Sequence, residues 1–243
     1  QPKRECALAG LGKLRRFLRK DAAPVQELSL PTTTPSILCL GAHSDDIEIG
    51  CGGALVRLLG QMPGASVHWV VFSAEGERAD EARHGAKLFA GERLESIELH
   101  SFRDGFVPDS LGEIKERFRD LQKAVDPDLI FTTWRKDLHQ DHRIVSELTS
   151  QTFRNHAILE YEISKYDGDL GSPNVYVRLD TEEADRKVEN LMTVFGSQHD
   201  KYWFSRETFR ALMRVRGVEC RSESGYAEAF YAHKLVFGAA PST

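Results

Sequence analysis

Ser36-Ile-Leu-Cys-Leu-Gly-Ala-His-Ser-Asp-Asp-Ile-Glu-Ile-Gly-Cys-Gly-Gly53 is the stretch that decides the fold. It opens with an apolar run that stops at Gly41, which is typical of a short buried strand. An imidazole and acidic side chains follow at once, and small residues around Gly52 belong to a helix predicted over 50–60. A strand that passes directly into a helix predicts the first unit of an α/β fold.

The same alternation of strand and helix continues along the chain. Further strands are predicted over 67–72, 96–102 and 128–133, and helices over 78–90, 111–125 and 141–153. The last third adds strands over 157–163, 174–179 and 227–236, and helices over 181–195 and 205–216. Strands and helices that alternate with short connections indicate a mostly parallel, Rossmann-like sheet flanked by helices. We predict one such α/β domain over 36–243, with the last third as its C-terminal extension, after an N-terminal helix and linker over 1–35.

Composition and charge narrow the class of protein. The 243 residues suit one large α/β domain, and 41% of them are hydrophobic and 28% charged, an ordinary globular balance. The formal net charge of -5 argues against a nucleic-acid partner, which needs a clustered basic face. No apolar run reaches the roughly 20 residues of a membrane span, and no signal-peptide core is visible. We therefore expect no stable membrane insertion and a cytoplasmic location.

Two minor features agree with that location. The basic segment 13–20 suits an amphipathic helix, and packing on the domain is favoured over a role at a membrane surface. The cysteines Cys6, Cys39, Cys51 and Cys220 form no CxxC motif, so they are interpreted as reduced thiols of a cytosolic protein.

The first group of chemically active side chains follows the first predicted strand. His43, Asp45, Asp46 and Glu48 lie where open α/β sheets bind ligands, beyond the carboxyl end of a strand. Imidazole and carboxylate together suit zinc or iron(II). Because neighbouring side chains point in different directions, one aspartate can ligate while the other takes a proton from the attacking water. The alternative is a helix N-cap with favourable charge.

A second group follows the fourth predicted strand, at the same edge of the sheet. His139 and His142 are three residues apart and share a face at the start of a helix. One imidazole is expected to complete a set of three metal ligands. The other can act as an imidazolium that stabilises an oxyanion or protonates a leaving amine. Asp141 either orients a histidine or caps the helix.

Both groups resemble the motifs of the PIG-L (LmbE-like) N-acetylglucosaminyl deacetylase family. The family's Ala-His-Pro-Asp-Asp motif, followed by Glu and Gly, stands here as Ala42-His-Ser-Asp-Asp-Ile-Glu-Ile-Gly50, and its His-x-Asp-His motif as His139-Gln-Asp-His142. The resemblance implies that His43, Asp46 and His142 bind the metal, Asp45 is the general base and His139 assists with the oxyanion. Ser44 replaces the family's usual proline, which shapes the turn and binds nothing.

The resemblance covers about residues 36 to 237 and implies where a substrate is bound. The implied contacts are Arg78, Asp104, Glu48 and, in the tail, Trp203. The implied reaction removes the N-acetyl group of a small N-acetylglucosamine-type sugar conjugate with the help of one divalent metal, zinc or alternatively iron(II). Two other interpretations stay open at this point: a metal-dependent amidase or phosphoesterase for another small substrate, and a non-catalytic sugar- or nucleotide-binding module.

Overall fold

The computed structural model describes residue 27 and residues 34–236. The predicted helix at 13–20, most of the predicted linker and Cys6 lie outside the described residues. Cys39, Cys51 and Cys220 are buried and free, and the free thiols agree with the sequence prediction. No helix in the described part of the chain is both long and apolar enough to cross a lipid bilayer.

A seven-stranded sheet forms the centre of the described structure. The strands are β1 Ser36–His43, β2 Ser66–Ser73, β3 Leu94–Leu99, β4 Leu129–Thr133, β5 Ala157–Tyr161, β6 Val175–Leu179 and β7 Tyr226–Ala232. Their order is β3-β2-β1-β4-β5-β7-β6. The first five strands in this order are parallel, and β7 runs antiparallel to both β5 and β6. The predicted mostly parallel α/β sheet is confirmed, and the last third of the chain extends that same sheet.

Six α-helices flank the sheet within the described residues. They are α1 Asp46–Gln61, α2 Glu77–Ala90, α3 Leu111–Ala124, α4 Gln140–Thr152, α5 Thr181–Val194 and α6 Arg206–Glu219, with short 3-10 turns at Gly91–Arg93, Val107–Ser110 and Gly196–Gln198. Alternate side chains of β1 divide between two cores: Leu38 and Leu40 pack with α3 and α4, whereas Ile37 and Cys39 pack with the other four helices. The alternation follows from the pleat of a strand that is buried on both faces.

The helix α1 begins at Asp46 and not at residue 50, so the sequence prediction started it four residues late. The acidic residues Asp46 and Glu48 fit its first turn because the helix dipole favours negative charge there. The glycines that were interpreted as the helix start serve close packing within it. A β-carbon on Gly52 would lie 2.5 Å from Cε1 of Phe89, so only glycine lets α2 approach the helix this closely.

Three strands end earlier than the sequence predicted, and the one predicted over 157–163 ends at Tyr161. The predicted strand 96–102 ends at Leu99, although the N–H groups of His100 and Phe102 still donate to β2 carbonyls, at 2.8 and 3.1 Å. The predicted strand 227–236 ends at Ala232. The apolar residues beyond each end continue the sequence pattern but leave the regular ladder.

The sheet reverses its winding direction between β1 and β4. From β1 the chain continues outward through β2 and β3 on one side, and from β4 it continues through β5 on the other. In open α/β sheets a crevice forms at this switch point, outside the carboxyl ends of the two strands. Both predicted groups of site residues emerge at this crevice, after His43 and after Thr133.

Candidate active site

The turn from β1 into α1 positions the first group of side chains. The N–H of His43 donates to Oδ2 of Asp46 at 2.8 Å, which turns this carboxylate back toward the end of the strand. Asp45 occupies the N-cap position of α1 but makes no side-chain capping hydrogen bond. Its Oδ1 instead lies 2.7 Å from Nη2 of Arg78. The two neighbouring aspartates therefore point in different directions, as the sequence predicts, and capping is not the role of Asp45.

The three predicted metal ligands converge on one point. Nδ1 of His43 lies 3.1 Å from Nε2 of His142 and 3.5 Å from Oδ2 of Asp46. Nε2 of His142 lies 3.3 Å from Oδ1 of Asp46. Ligand atoms bound at about 2.0–2.1 Å around a tetrahedral zinc ion are about 3.3 Å apart. The spacing of these three side chains therefore fits a single small cation.

Carboxylates hold the opposite nitrogen of each imidazole. Oδ2 of Asp137 lies 2.8 Å from Nδ1 of His142, and Oδ2 of Asp141 lies 3.2 Å from Nε2 of His43. Such contacts fix the tautomer and leave the inward nitrogen for a metal. Asp141 thus orients a histidine, the first of its two predicted roles. The cap of α4 is His139, whose side chain accepts the N–H of Asp141.

Two other groups of donor atoms overlap with this set. Single atoms of His43, His139 and His142 lie within 4.8 Å of one another, as do those of His43, Asp104, His139 and Asp141. In the second group, Asp141 already accepts the N–H groups of Gly105 and Val107, at 2.8 and 3.2 Å. The structure therefore brings the predicted ligands together in one cluster with further candidate donors, His139, Asp104 and Asp141.

The potential in the site is strongly negative and favours a cation. Burial alone would lower the pKa of His142, but the charge of Asp46 and the hydrogen bond to Asp137 raise it to about 9. Burial likewise opposes the charged form of His43, but Asp46 and hydrogen bonds to other carboxylates raise its pKa well above the ordinary value. Burial would raise the pKa of Asp46, but the two imidazoles lower it well below its usual range. A site that attracts protons this strongly also attracts a metal ion.

Asp45 is buried and lies beside a guanidinium group. Burial raises the pKa of Asp45, an effect that the positive charge of Arg78 partly offsets. Nη1 of Arg78 also lies 3.2 Å from Oδ2 of Asp104. A hydrogen bond with His43 lowers the pKa of Asp104 to about 2. The two predicted substrate contacts, Arg78 and Asp104, thus lie next to the predicted base and metal ligands.

The ring of His139 completes a cluster of three imidazoles. Its centroid lies 4.7 Å from that of His43 and 4.8 Å from that of His142. Burial, together with the charges of these two neighbours, lowers the pKa of His139. Because Nδ1 accepts the N–H of Asp141, the neutral ring carries its proton on Nε2. The geometry therefore favours a neutral hydrogen-bond donor over the imidazolium expected from the sequence.

The other two predicted substrate contacts lie differently. Glu48 is completely buried, and a β-carbon on Gly85 would lie 2.0 Å from its Oε1. Neither carboxyl oxygen of Glu48 has a hydrogen-bond partner among the described residues. This position does not support a substrate contact. Trp203 is half-buried against the core, with Nζ of Lys201 5.8 Å from its ring centroid, and its substrate contact stays a prediction.

The sequence interpretation missed two members of the site, Asp137 and Lys165. Asp137 also bonds to Lys165, whose Nζ lies 2.9 Å from Oδ1. Lys165 lies in turn 2.8 Å from Oδ2 of Asp169. Asp137 stands two positions before His139 in the sequence and could have been found as a carboxylate five positions before His142. Lys165 carries no such signal because its link to the site arises only in the folded chain.

Known proteins are similar to this chain in sequence and in fold. The family model described as PIG-L, GlcNAc-PI de-N-acetylase, matches residues 38–153, which include both motifs. A protein of Escherichia coli strain K12 named "Uncharacterized deacetylase YaiS" is 30% identical over 148 residues, which cover 56% of this chain and 77% of that protein.

The chain belongs to the PIG-L family.

Several solved structures share the PIG-L fold over most of this chain. The N,N'-diacetylchitobiose deacetylase of Pyrococcus horikoshii, solved with its inhibitor MPG, has a TM-score of 0.62 at 21% identity and covers 90% of this chain and 92% of its own. The zinc-inhibited form of the teicoplanin deacetylase Orf2 has a TM-score of 0.65 at 16% identity, with 81% and 97% covered. GalB, the 4-carboxy-2-hydroxymuconate hydratase of Pseudomonas putida KT2440, has a TM-score of 0.62 at 18% identity, with 86% and 100% covered. At these identities the likeness shows the fold alone, so the reaction has to be argued from the site.

Proposed function

We propose that this protein is a metal-dependent hydrolase that removes the N-acetyl group of an N-acetylglucosamine-type sugar conjugate, releasing acetate and a free amine. The observation that carries the proposal is the convergence of His43, Asp46 and His142 next to the buried Asp45. Membership of a deacetylase family supports the same reaction. The cytoplasmic location expected from the sequence belongs to the same proposal.

The donor set suits one divalent metal, with zinc favoured over iron(II). His43, Asp46 and His142 would hold the ion, and two nitrogens with one carboxylate oxygen are typical of catalytic zinc. When bound, such an ion polarises a carbonyl group and lowers the pKa of water. The teicoplanin deacetylase Orf2, a protein of this fold, is known in a zinc-inhibited form.

The side chains around this set can carry the proton transfers. Asp45 takes a proton from the attacking water, since burial raises its pKa above that of an ordinary aspartate. Arg78 holds Oδ1 of Asp45 and thereby fixes the direction of the other carboxylate oxygen. The Nε2–H of His139 donates to the acetyl oxygen as negative charge develops there. The proton held by Asp45 then passes to the leaving amine.

Metal content and acetate release, measured on the same protein samples, test the proposal. We expect about one zinc or iron ion per chain and acetate release from at least one N-acetylglucosamine glycoside. His142→Ala is expected to lose both the metal and the activity, whereas His84→Ala, at an exposed position of α2, keeps both. Asp45→Asn is expected to keep the metal and lose at least about a hundredfold in turnover.

Each other outcome contradicts a separate part of the proposal. Metal without acetate release would argue against the sugar substrate and favour an amidase or phosphoesterase. Two ions per chain would favour a two-metal phosphoesterase. Near-normal turnover in Asp45→Asn with unchanged metal content would show that Asp45 is not the base.

A further inference from the structure

Large apolar side chains lie exposed on the loops beside a strongly polar site. Ten such side chains are exposed within residues 34–236, and five of them lie on loops beside the metal-ligand cluster. These five are called the apolar rim: Phe106 at 41% exposure, Leu138 at 61%, Tyr166 at 69%, Leu170 at 46% and Tyr202 at 91%. Since exposed aromatic and aliphatic groups of this size gain free energy by leaving water, a cluster of them marks a binding surface.

One side of the rim is tied directly to the metal-ligand cluster. Leu138 stands between Asp137, which bonds to His142, and His139. Tyr166 follows Lys165, whose Nζ lies 2.9 Å from Oδ1 of Asp137.

The neighbouring members of the rim are fixed to these two. Leu170 follows Asp169, whose carboxylate accepts the N–H of Leu138 at 2.8 Å. The N–H of Tyr202 donates to the hydroxyl of Tyr166 at 3.2 Å. The rim is therefore continuous with the site and held in place by hydrogen bonds between its loops.

The fifth member of the rim lies on the loop before the 3-10 turn Val107–Ser110. Phe106 stands between Gly105 and Val107, whose N–H groups both donate to Asp141. The guanidinium carbon of Arg103 lies 3.6 Å from the centroid of the Phe106 ring and holds it at the surface. A further loop that is bonded to the site through Asp141 thus carries an apolar side chain as well.

This arrangement separates the site into two chemical zones. The inner zone consists of buried carboxylates and imidazoles, which suit the acetamido and hydroxyl groups of a sugar. The outer zone offers hydrocarbon and aromatic surface. A ligand complementary to both zones has a polar sugar at one end and an apolar group attached to it.

We infer that the apolar rim binds an apolar aglycone, an alkyl or aryl group linked to the N-acetylated sugar. This inference rests on the proposed function and adds the substrate class to it. A sugar conjugate with a charged or strongly hydrated aglycone is disfavoured because it would leave the rim exposed to water.

Two glycosides that differ only in the aglycone test this inference. Methyl and octyl N-acetylglucosaminide present the same acetamide, and both are used below the concentration at which the octyl compound forms micelles. We expect kcat/KM for the octyl glycoside to exceed that for the methyl glycoside by at least about tenfold, since each buried methylene adds favourable transfer free energy.

Variants of the rim locate the source of this preference. Tyr202→Ser and Leu138→Ser are expected to lower kcat/KM for the octyl glycoside by about threefold to tenfold each and to leave the methyl glycoside unchanged. Val218→Ser is the matched control, because Val218 is 62% exposed on α6 and outside the rim. Tyr202 and Leu138 are both well exposed, so these variants are expected to fold normally.

The outcomes separate failure of the inference from failure of the proposed function. No acetate from either glycoside, with metal bound, would contradict the proposed function itself. Equal kcat/KM for both glycosides, or an octyl preference that survives the rim variants, would overturn the inference alone. If the same variants abolish binding to phosphatidylcholine vesicles while the two glycosides react equally, the rim binds a membrane surface and the inference is wrong.

Discussion

Oδ2 of Asp137 lies 2.8 Å from Nδ1 of His142, and both side chains are almost completely buried. The other carboxylate oxygen of Asp137 accepts the N–H of His139 at 2.7 Å and lies 2.9 Å from Nζ of Lys165. One carboxylate therefore fixes the ring of a proposed metal ligand and the backbone of the predicted oxyanion donor. We expect the metal site to depend on this contact although Asp137 does not face the metal.

Replacing Asp137 by asparagine removes the charge behind His142 and keeps the shape of the side chain. We expect the zinc affinity to fall by about tenfold to a hundredfold, because outer carboxylates orient the imidazole and raise its basicity. Competition with a chromophoric chelator measures this change. The exposed Asp126 serves as a control, since Asp126→Asn lies away from the site and is expected to leave the affinity unchanged. Wild-type affinity in Asp137→Asn would contradict the role of Asp137.

Metal binding should weaken as the pH falls. The pKa of His142 is about 9 without a metal, and that of His43 is also raised, so protons occupy both ligands at neutral pH. A metal must displace these protons, and the apparent affinity is expected to fall by at least about tenfold per pH unit between about pH 8 and about pH 6. Titration with a metal buffer at each pH measures the slope. An affinity that does not change over this range would show that neither imidazole is a ligand.

Glu48 should make the stability of the metal-free protein depend on pH. Burial, and then the charges of Asp45 and Asp46, raise the pKa of Glu48 well above its ordinary value of 4.5. The unfolded chain releases this proton at a lower pH than the folded chain does. The protonated carboxyl therefore stabilises the fold fully below about pH 4.5, and this contribution is lost as the pH rises toward the folded pKa.

The substitution Glu48→Gln keeps the shape of the protonated side chain and removes its titratable proton. Relative to the wild type, Glu48→Gln is expected to gain stability between about pH 5 and about pH 8, at up to about 1.4 kcal/mol per pH unit. Urea unfolding of both proteins, with a chelator present, measures the difference. A difference that stays constant over this range would mean that Glu48 is ionised in the folded protein.

The buried ion pair between Lys187 and Glu228 should stabilise the fold and have no role in catalysis. The carboxylate of Glu228 also accepts the N–H groups of Gly53 and Ala54, at 2.9 and 2.6 Å, and Nζ of Lys187 donates to the carbonyl of Ile49 at 2.6 Å. Both side chains are almost completely buried. Lys187→Met would leave a buried carboxylate without its partner and is expected to cost about 3–5 kcal/mol of unfolding free energy.

A second substitution and a surface control complete this test. The double variant Lys187→Met with Glu228→Gln is expected to recover part of the lost stability, because it leaves no unpaired charge in the core. Lys123→Met at the exposed pair with Asp120 is expected to change the unfolding midpoint little. Equal stability of the wild type and Lys187→Met would contradict this account. Acetate release by the folded fraction is expected to stay at the wild-type value.

The alternation of apolar runs with helical segments was sufficient to predict the sheet. The strands β1 and β4, which the two groups of site residues follow, are short buried runs that stop at the edge where the site lies. The two motifs could be located on that edge because parallel strands end on the same side of a sheet. Because both motifs lie on that edge, their side chains were expected to lie close together. The sequence put the start of α1 too late because Gly52 and Gly53 resemble a helix boundary, although they serve close packing within the helix.

The roles of several polar residues were not visible in the sequence. Arg78 meets Asp45 across 33 positions, and Lys187 meets Glu228 across 41. Glu48 stands in the motif like a functional residue, but α2 covers it through Gly85. No local pattern predicts such contacts, because side-chain periodicity records only which face of an element is apolar.

The sequence by itself determined the order of strands and helices, the edge at which the reactive groups gather, and the identity of the metal-ligand candidates. The tertiary structure alone decided which carboxylates orient the imidazoles and which acidic side chain is fully buried in the core. It also decided which apolar side chains lie exposed beside the site. The physical reason is the distance along the chain over which each kind of interaction acts. Periodicity and turn chemistry act between near neighbours in the chain, whereas burial and charge pairing depend on the packing of segments distant in sequence.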